Sequence, residues 1–375
     1  MENIKSDNRI FAGFKPRMPL VLLLTLGALL GSLTLIFNEV PAFSGAALFV
    51  IISLIFLTVR EILPLVGIFC PALLAFLMTG SISLPALYVG AVFTVGTTAY
   101  LALGGRAWAP IAAGGIAYAI GALAIDPISA LPALVPVIVG LLAAPMLPRE
   151  GLSFTTAVLT SLALSAGLLL FLASDGNLEA TAELLRENIA NAYASLNSEF
   201  FVITEETAEI LAAYIINISP GIIFAAASAV LFVSLSLANT LFRATGAGDM
   251  IPEEMAKITL SPISGIIYLF CLLLSAAFMI EGADYELAAT VMENIAIALS
   301  LPFTALGFRA ANEILVKKLG KKLRVKPRSL RLFPVVIFLI SPSVGFALFI
   351  SMGFAYSLLP IYKSLFSKMK AGINK

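Results

Sequence analysis

The chain has 375 residues, 60% of them apolar and only 12% charged, whereas a soluble domain carries about 25% charge. So little charge cannot clothe a water-facing surface, and the exterior must largely face lipid. The formal charge of +1 and the lack of any histidine exclude more. No basic face for nucleic acid is present, and the commonest general base and transition-metal ligand are missing, so neither a metal nor another cofactor is expected.

In chain order, residues 1–18 are polar and basic, with Lys5, Arg9, Lys15 and Arg17. The apolar run from Pro19 to Phe37 is longer than a signal-peptide core and reads as a retained first helix. A crossing helix needs about 20 mostly apolar residues, because unpaired backbone groups are costly in hydrocarbon. That rule predicts seven spans in region 19–173, near 19–37, 42–59, 62–79, 84–104, 107–125, 128–147 and 152–173. The first span carries Gly27, Ala28, Gly31 and Ser32, two overlapping pairs of small residues at the spacing that lets helix backbones approach closely. Ala113, Ala117 and Gly121 make a similar stripe. Such a face serves internal packing or, as the alternative, docks a membrane protein partner.

Residues 174–215 form an acidic insert, with Glu179, Glu183 and Glu187 opposite Leu178, Ala182, Leu185, Ile189 and Tyr193 at helical spacing. Thr204, followed by Glu206 and Thr207, reads as the start of a second short helix ending at Ile215. The insert is expected to lie outside the membrane as an amphipathic helical hairpin. Spans resume in region 216–360, near 217–242, 261–280 and 287–310, with a basic loop at 317–331. A last apolar stretch from Leu332 to Leu359 is interrupted by Ser341-Pro342-Ser343 and leads into the basic tail 361–375. It is either one kinked helix or, by the tail charges, a hairpin of two short helices. The fold class is therefore all-α, a polytopic transmembrane bundle of about eleven segments (10–12).

Lys and Arg accumulate on one side of this alternation and Asp and Glu on the other, which places the N-terminus in the cytoplasm by the positive-inside rule. Ionisable residues within spans are functional candidates. Glu293 lies inside the tenth span, while Arg309 and Glu313, four apart near its far end, are spaced to pair along one face. Cys70 and Cys271 both lie in apolar runs and read as small hydrophobes. The chain has no Walker loop, no G-x-S-x-G elbow and no H-E-x-x-H, so no catalytic residues are assigned. Asp249, Glu253 and Glu254 read as a solvated turn.

From about residue 175 the order of features resembles the YybS-like family of predicted bacterial membrane proteins. The features are the acidic insert, Ile218-Ser219-Pro220 opening a span that ends in Asn239-x-x-x-Arg243, then Leu260-Ser261-Pro262. After these come Ala305-Leu306-Gly307-Phe308 before a basic loop, and Ser341-Pro342 followed by Gly353 and Tyr362-Lys363. An acidic position usual after the last glycine is Tyr356 or Ser357 here. The resemblance implies a multi-pass protein of the bacterial inner membrane and a distant similarity to the substrate-binding subunits of energy-coupling-factor vitamin transporters. Those subunits dock a partner through a small-residue helix face. The resemblance carries over no ligand residue.

The reading that follows is a transporter or membrane solute-binding component of unknown substrate, with the bilayer and a membrane subunit as partners. A scaffold or envelope assembly factor acting through 177–212 is the alternative. A lipid-modifying enzyme is the reading that the absent motifs weaken most.

Overall fold

The computed structural model describes residues 15–37, 40–59, 62–147, 204–247, 260–281, 286–315, 336–337 and 340–373. Among them every regular element is helical and no strand occurs. The helices are α1 (Met18–Thr34), α2 (Pro41–Thr58), α3 (Ile62–Thr79), α4 (Ser83–Leu103), α5 (Trp108–Ala124) and α6 (Val135–Ala143). These are followed by α7 (Glu205–Ala244), α8 (Pro262–Glu281), α9 (Glu286–Ile314) and α10 (Pro342–Ile373).

Among the described residues, six helical segments are long and apolar enough to cross a bilayer: Pro41–Thr58, Ser83–Leu103, Glu209–Ala244, Pro262–Ile280, Glu286–Ala311 and Val344–Lys363. Met18–Thr34, Trp108–Ala124 and Leu131–Ala143 are apolar but shorter. The expected span at 152–173, most of the expected insert, the basic loop 317–331 and the Asp249 turn lie outside the described residues.

Three elements differ from the sequence expectation. The span expected over 128–147 contains only nine α-helical residues, flanked by 3-10 turns at Leu131–Leu134 and Ala144–Met146. Pro132, Pro136 and Pro145 each remove an amide donor, so a regular helical ladder cannot run through the segment. The short helix expected at Thr204–Ile215 and the span after it are one 40-residue helix, which runs through the expected boundary at 215/216 with Pro220 inside it. Its start is as expected, since the Thr204 hydroxyl accepts the Thr207 N–H at 3.2 Å and lies 2.7 Å from the Thr207 hydroxyl. Lastly, α10 begins at the proline break and continues through the basic tail to Ile373. The part after the break is thus one 32-residue helix, longer than the arm expected to end at Leu359, and most of the stretch before the break lies outside the described residues.

The chain forms two compact units, one of residues 1–185 and 226–257, the other of 186–225 and 258–375. In the first unit α4 is the central helix, buried continuously from Val89 to Leu101. Glycines set how near its neighbours come. A Cβ on Gly31 of α1 would lie 2.6 Å from the Gly90 carbonyl, and one on Gly96 would lie 2.6 Å from the Ser234 carbonyl of α7. On α6, a Cβ on Gly140 would sit 2.8 Å from the Val95 carbonyl. Around these contacts pack Phe93, Leu231 and Leu237, all fully buried.

Helices α4 and α7 end alike. Gly105 (φ 67°) and Gly246 (φ 79°) adopt the left-handed conformation. The Arg106 N–H then reaches the Leu101 carbonyl at 2.8 Å, and the Ala247 N–H reaches that of Phe242 at 3.0 Å. These are Schellman closures, which satisfy carbonyls that a helix end would otherwise orphan. Beside them the Tyr100 and Phe242 rings lie 4.7 Å apart, and the Tyr100 hydroxyl donates to Thr245 Oγ1 at 3.2 Å. In the turn after α5, the Asp126 carboxylate accepts the Ile128 and Ser129 N–H groups at 2.8 and 2.9 Å. Bonds from Ser129, its hydroxyl's the largest, and from Ile128 hold that carboxyl below its usual range.

In the second unit the backbones of α9 and α10 touch at Gly307 and Gly353. A Cβ on Gly307 would overlap the Phe349 carbonyl and one on Gly353 would overlap that of Phe303, each also lying 2.9 Å from the other glycine's nitrogen. Phe308 stacks edge-on to Phe349 at 5.5 Å, and Tyr268 of α8 lies 4.9 Å from Phe303.

Replacing Gly353 with alanine is therefore expected to destabilise the protein by about 1–3 kcal/mol, as overpacking does. Gly115 has open space where its Cβ would be, so Gly115→Ala should be neutral or stabilise by up to about 1 kcal/mol. Thermal unfolding of the two variants in the same detergent checks both.

Candidate functional site

The second unit has a polar site where the first part of α7 lies against α9. Pro220 has no N–H, so the Ile216 carbonyl lacks its usual helical donor. One residue on, the Asn217 carbonyl and the Gly221 N–H are the pair that an undisturbed helix joins to each other. Here the side-chain amide of Asn294, on α9, spans them. Its Nδ2 donates to the Asn217 carbonyl and to the Thr290 carbonyl, both at 2.9 Å, and its Oδ1 accepts the Gly221 N–H at 2.6 Å. A carboxamide is a peptide-like group with both functions, so it can cap both sides of a weakened helical turn. Glycine is needed opposite it, because a Cβ at 221 would lie 2.7 Å from the Asn294 main-chain oxygen.

Next to Asn294, Glu293 accepts a hydrogen bond from the Tyr214 hydroxyl through Oε1. These two residues open onto a cavity of about 320 Å³ whose other polar walls are Asn217, Glu286 and Thr290. Its apolar walls are Ile218, Phe278, Met279 and Ala289. Glu286 sits in the first turn of α9 and Glu293 seven residues further in, about 10 Å along the axis. The cavity therefore occupies the end of the unit where α8 stops and α9 starts. It combines a carboxylate, a phenol, amide and hydroxyl groups with an apolar flank, which suits a small solute with one polar end.

The other residues singled out in the sequence have different roles. Gly27, Ala28, Gly31 and Ser32 are all buried. A Cβ on Gly27 would overlap the Phe93 ring, and the Thr94 hydroxyl donates to the Ala28 carbonyl at 3.3 Å. That face is consumed in packing against α4, so it is not open to a partner. Ala113, Ala117 and Gly121 are buried as well. Arg309 and Glu313 form the expected pair, with Nε and Oε1 3.1 Å apart. The Tyr356 hydroxyl reaches Glu313 Oε2 at 3.4 Å. This pair is sixteen to twenty residues along α9 from Glu293, about 24–30 Å at helical rise. Cys70 and Cys271 are both free. Asn239 is buried in the first unit with its Oδ1 unpartnered.

Sequence reasoning singled out Glu293 but missed Tyr214, Asn217 and Asn294. Two signals were present: the adjacent polar pair Glu293-Asn294 in an apolar helix, and Asn217 three residues before a mid-helix proline. That these two sites meet, 73 to 79 residues apart in the chain, is a tertiary fact. No family model, no curated protein and no solved structure matches the chain.

Asn294→Leu is expected to cost about 0.5–1.5 kcal/mol, because it removes the hydrogen bonds to the Asn217 carbonyl and the Gly221 N–H. Tyr214→Phe, which removes one hydrogen bond and leaves its acceptor near the cavity, should cost about 0.5–1.5 kcal/mol. Hydrogen exchange checks the first directly, since the Gly221 amide should exchange faster in Asn294→Leu and be unchanged in Tyr214→Phe.

Proposed function

We propose that this protein is a multi-pass membrane component that binds and transports a small solute, and that the cavity bounded by Glu293, Tyr214 and Asn217 receives it. The observation that carries the reading is the Glu293–Tyr214 pair facing a 320 Å³ space within candidate membrane-spanning helices. An ionisable group in such a helix is costly and is kept where it meets a partner or a polar cavity. A proline-weakened helix braced by a side chain beside that cavity is a further feature of solute sites in membranes.

With this function goes the topology expected from the sequence: about eleven membrane segments, a cytoplasmic N-terminus and residence in the bacterial inner membrane. The resemblance to YybS-like proteins, and through them to vitamin-transporter binding subunits, supports the same class. A partner subunit would have to dock elsewhere than on the small-residue face of α1, which α4 covers.

Native mass spectrometry of the gently purified full-length protein, with extraction of retained small molecules, tests the function. A compound bound to the native protein should be absent from Ala289→Trp, which fills the cavity from its apolar wall. Retention of a protein partner and no small molecule, with that partner lost on deletion of 177–212, would overturn the solute reading in favour of a scaffold.

A further inference from the structure

We infer that the solute is a small organic cation, with its ammonium group at the Glu293–Tyr214 pair and its apolar body against Phe278 and Met279. This rests on the solute-binding reading above. The first argument is charge. The cavity walls include two carboxylates, Glu286 and Glu293, and neither lysine nor arginine. The basic residue of α9 among the described residues, Arg309, is sixteen positions beyond Glu293, about 24 Å at helical rise, and is engaged by Glu313. Among the described residues, a carboxylate or phosphate solute would therefore meet like charge at these walls with no cation in them.

The second argument is hydrogen bonding. The Tyr214 hydroxyl donates its hydrogen bond to Glu293 Oε1, which leaves the phenol oxygen and the second carboxylate oxygen as acceptors. An ammonium group has three donors and no acceptor, so it complements this arrangement, whereas an alcohol offers a single donor and no charge.

The third argument separates an organic cation from a metal ion. Calcium takes six to eight oxygen ligands at 2.3–2.6 Å. The two carboxylates here are two helical turns apart, and no group of three acidic, cysteine or histidine residues able to hold a metal occurs among the described residues. Ile218, Phe278, Met279 and Ala289 make up the rest of the wall, a surface that stabilises a hydrocarbon body and gives nothing to a hydrated ion. Aromatic rings also attract a cation through their faces. At about 320 Å³ the space is at the lower end of the range of ligand sites, the size of a small metabolite.

The test uses the full-length protein in detergent, with butylamine, butyrate and butanol as probes at equal ionic strength, read by thermal shift and isothermal calorimetry. Butylamine should give a saturable stabilisation and the other two none. Glu293→Gln, which keeps the shape, should weaken butylamine at least tenfold, while Glu313→Gln should leave it unchanged. Tyr214→Phe, which retains the carboxylate, should weaken it less than Glu293→Gln does. Butylamine binding that is indifferent to Glu293→Gln would overturn the inference. Saturable binding of butyrate or butanol as tight as that of butylamine, and abolished by Ala289→Trp, would overturn the cation class while leaving a solute site. If none of the three probes bound and Ala289→Trp lost no retained compound, both the inference and the solute reading would fall.

Discussion

Close contact between helix backbones is the constraint on which both units depend. In lipid no hydrophobic drive pushes apolar helices together, so association relies on van der Waals contact and interhelical hydrogen bonds. Both strengthen as backbones approach. Around α4 the approach is set by Gly31, Gly90, Gly96 and Gly140, each placed where a side chain would strike a neighbouring backbone or threonine. In the second unit Gly307 and Gly353 face each other reciprocally across α9 and α10. Large side chains then close around each contact, Phe93 in the first unit and Phe303 and Phe349 in the second, all fully buried.

The same scarcity of water governs the polar residues. Serines and threonines within the helices mostly return their hydroxyls to carbonyls three or four residues back, as Thr97 does to Phe93 at 2.7 Å and Ser234 to Val230 at 2.6 Å. These bonds stay within one helix and position nothing else. Asn294 behaves differently, because its amide leaves its own helix and braces the turn weakened by Pro220. Its neighbour Glu293 is thereby held opposite Tyr214. The proline, the glycine after it and the asparagine form one device, and the cavity lies beside it.

Much of the helical architecture was legible in the sequence, and the misreadings have physical causes. Apolar runs over 62–79, 84–104 and 107–125 correspond within a residue or so to α3, α4 and α5, because a helix apolar enough for a bilayer is apolar along its whole length, whether it meets lipid or, like α4, other helices. The segment at 128–147 was overextended because hydropathy does not register the amides that Pro132, Pro136 and Pro145 lack. The helix at Thr204 was ended too early, since a change from polar to apolar residues is a change of surroundings and not a break in backbone hydrogen bonding. Pro220 was expected to open a span rather than to sit inside a helix, and the side chain that braces the turn it weakens comes from 74 residues away.

Composition and spacing alone were enough to show helices apolar enough to cross a bilayer, Glu293 as an anomaly among them, and the Arg309–Glu313 pair. Each follows from composition or from spacing along one helix, where neighbours are set by the 3.6-residue turn. Packing alone reveals what Gly27, Gly31, Gly307 and Gly353 touch, that Tyr214 and Asn217 join Glu293 around one cavity, and that Asn294 braces α7 beside it. A glycine has no side chain to reveal what it touches, and a hydrogen bond between distant helices depends on how they pack. Neither leaves a periodic trace in the chain.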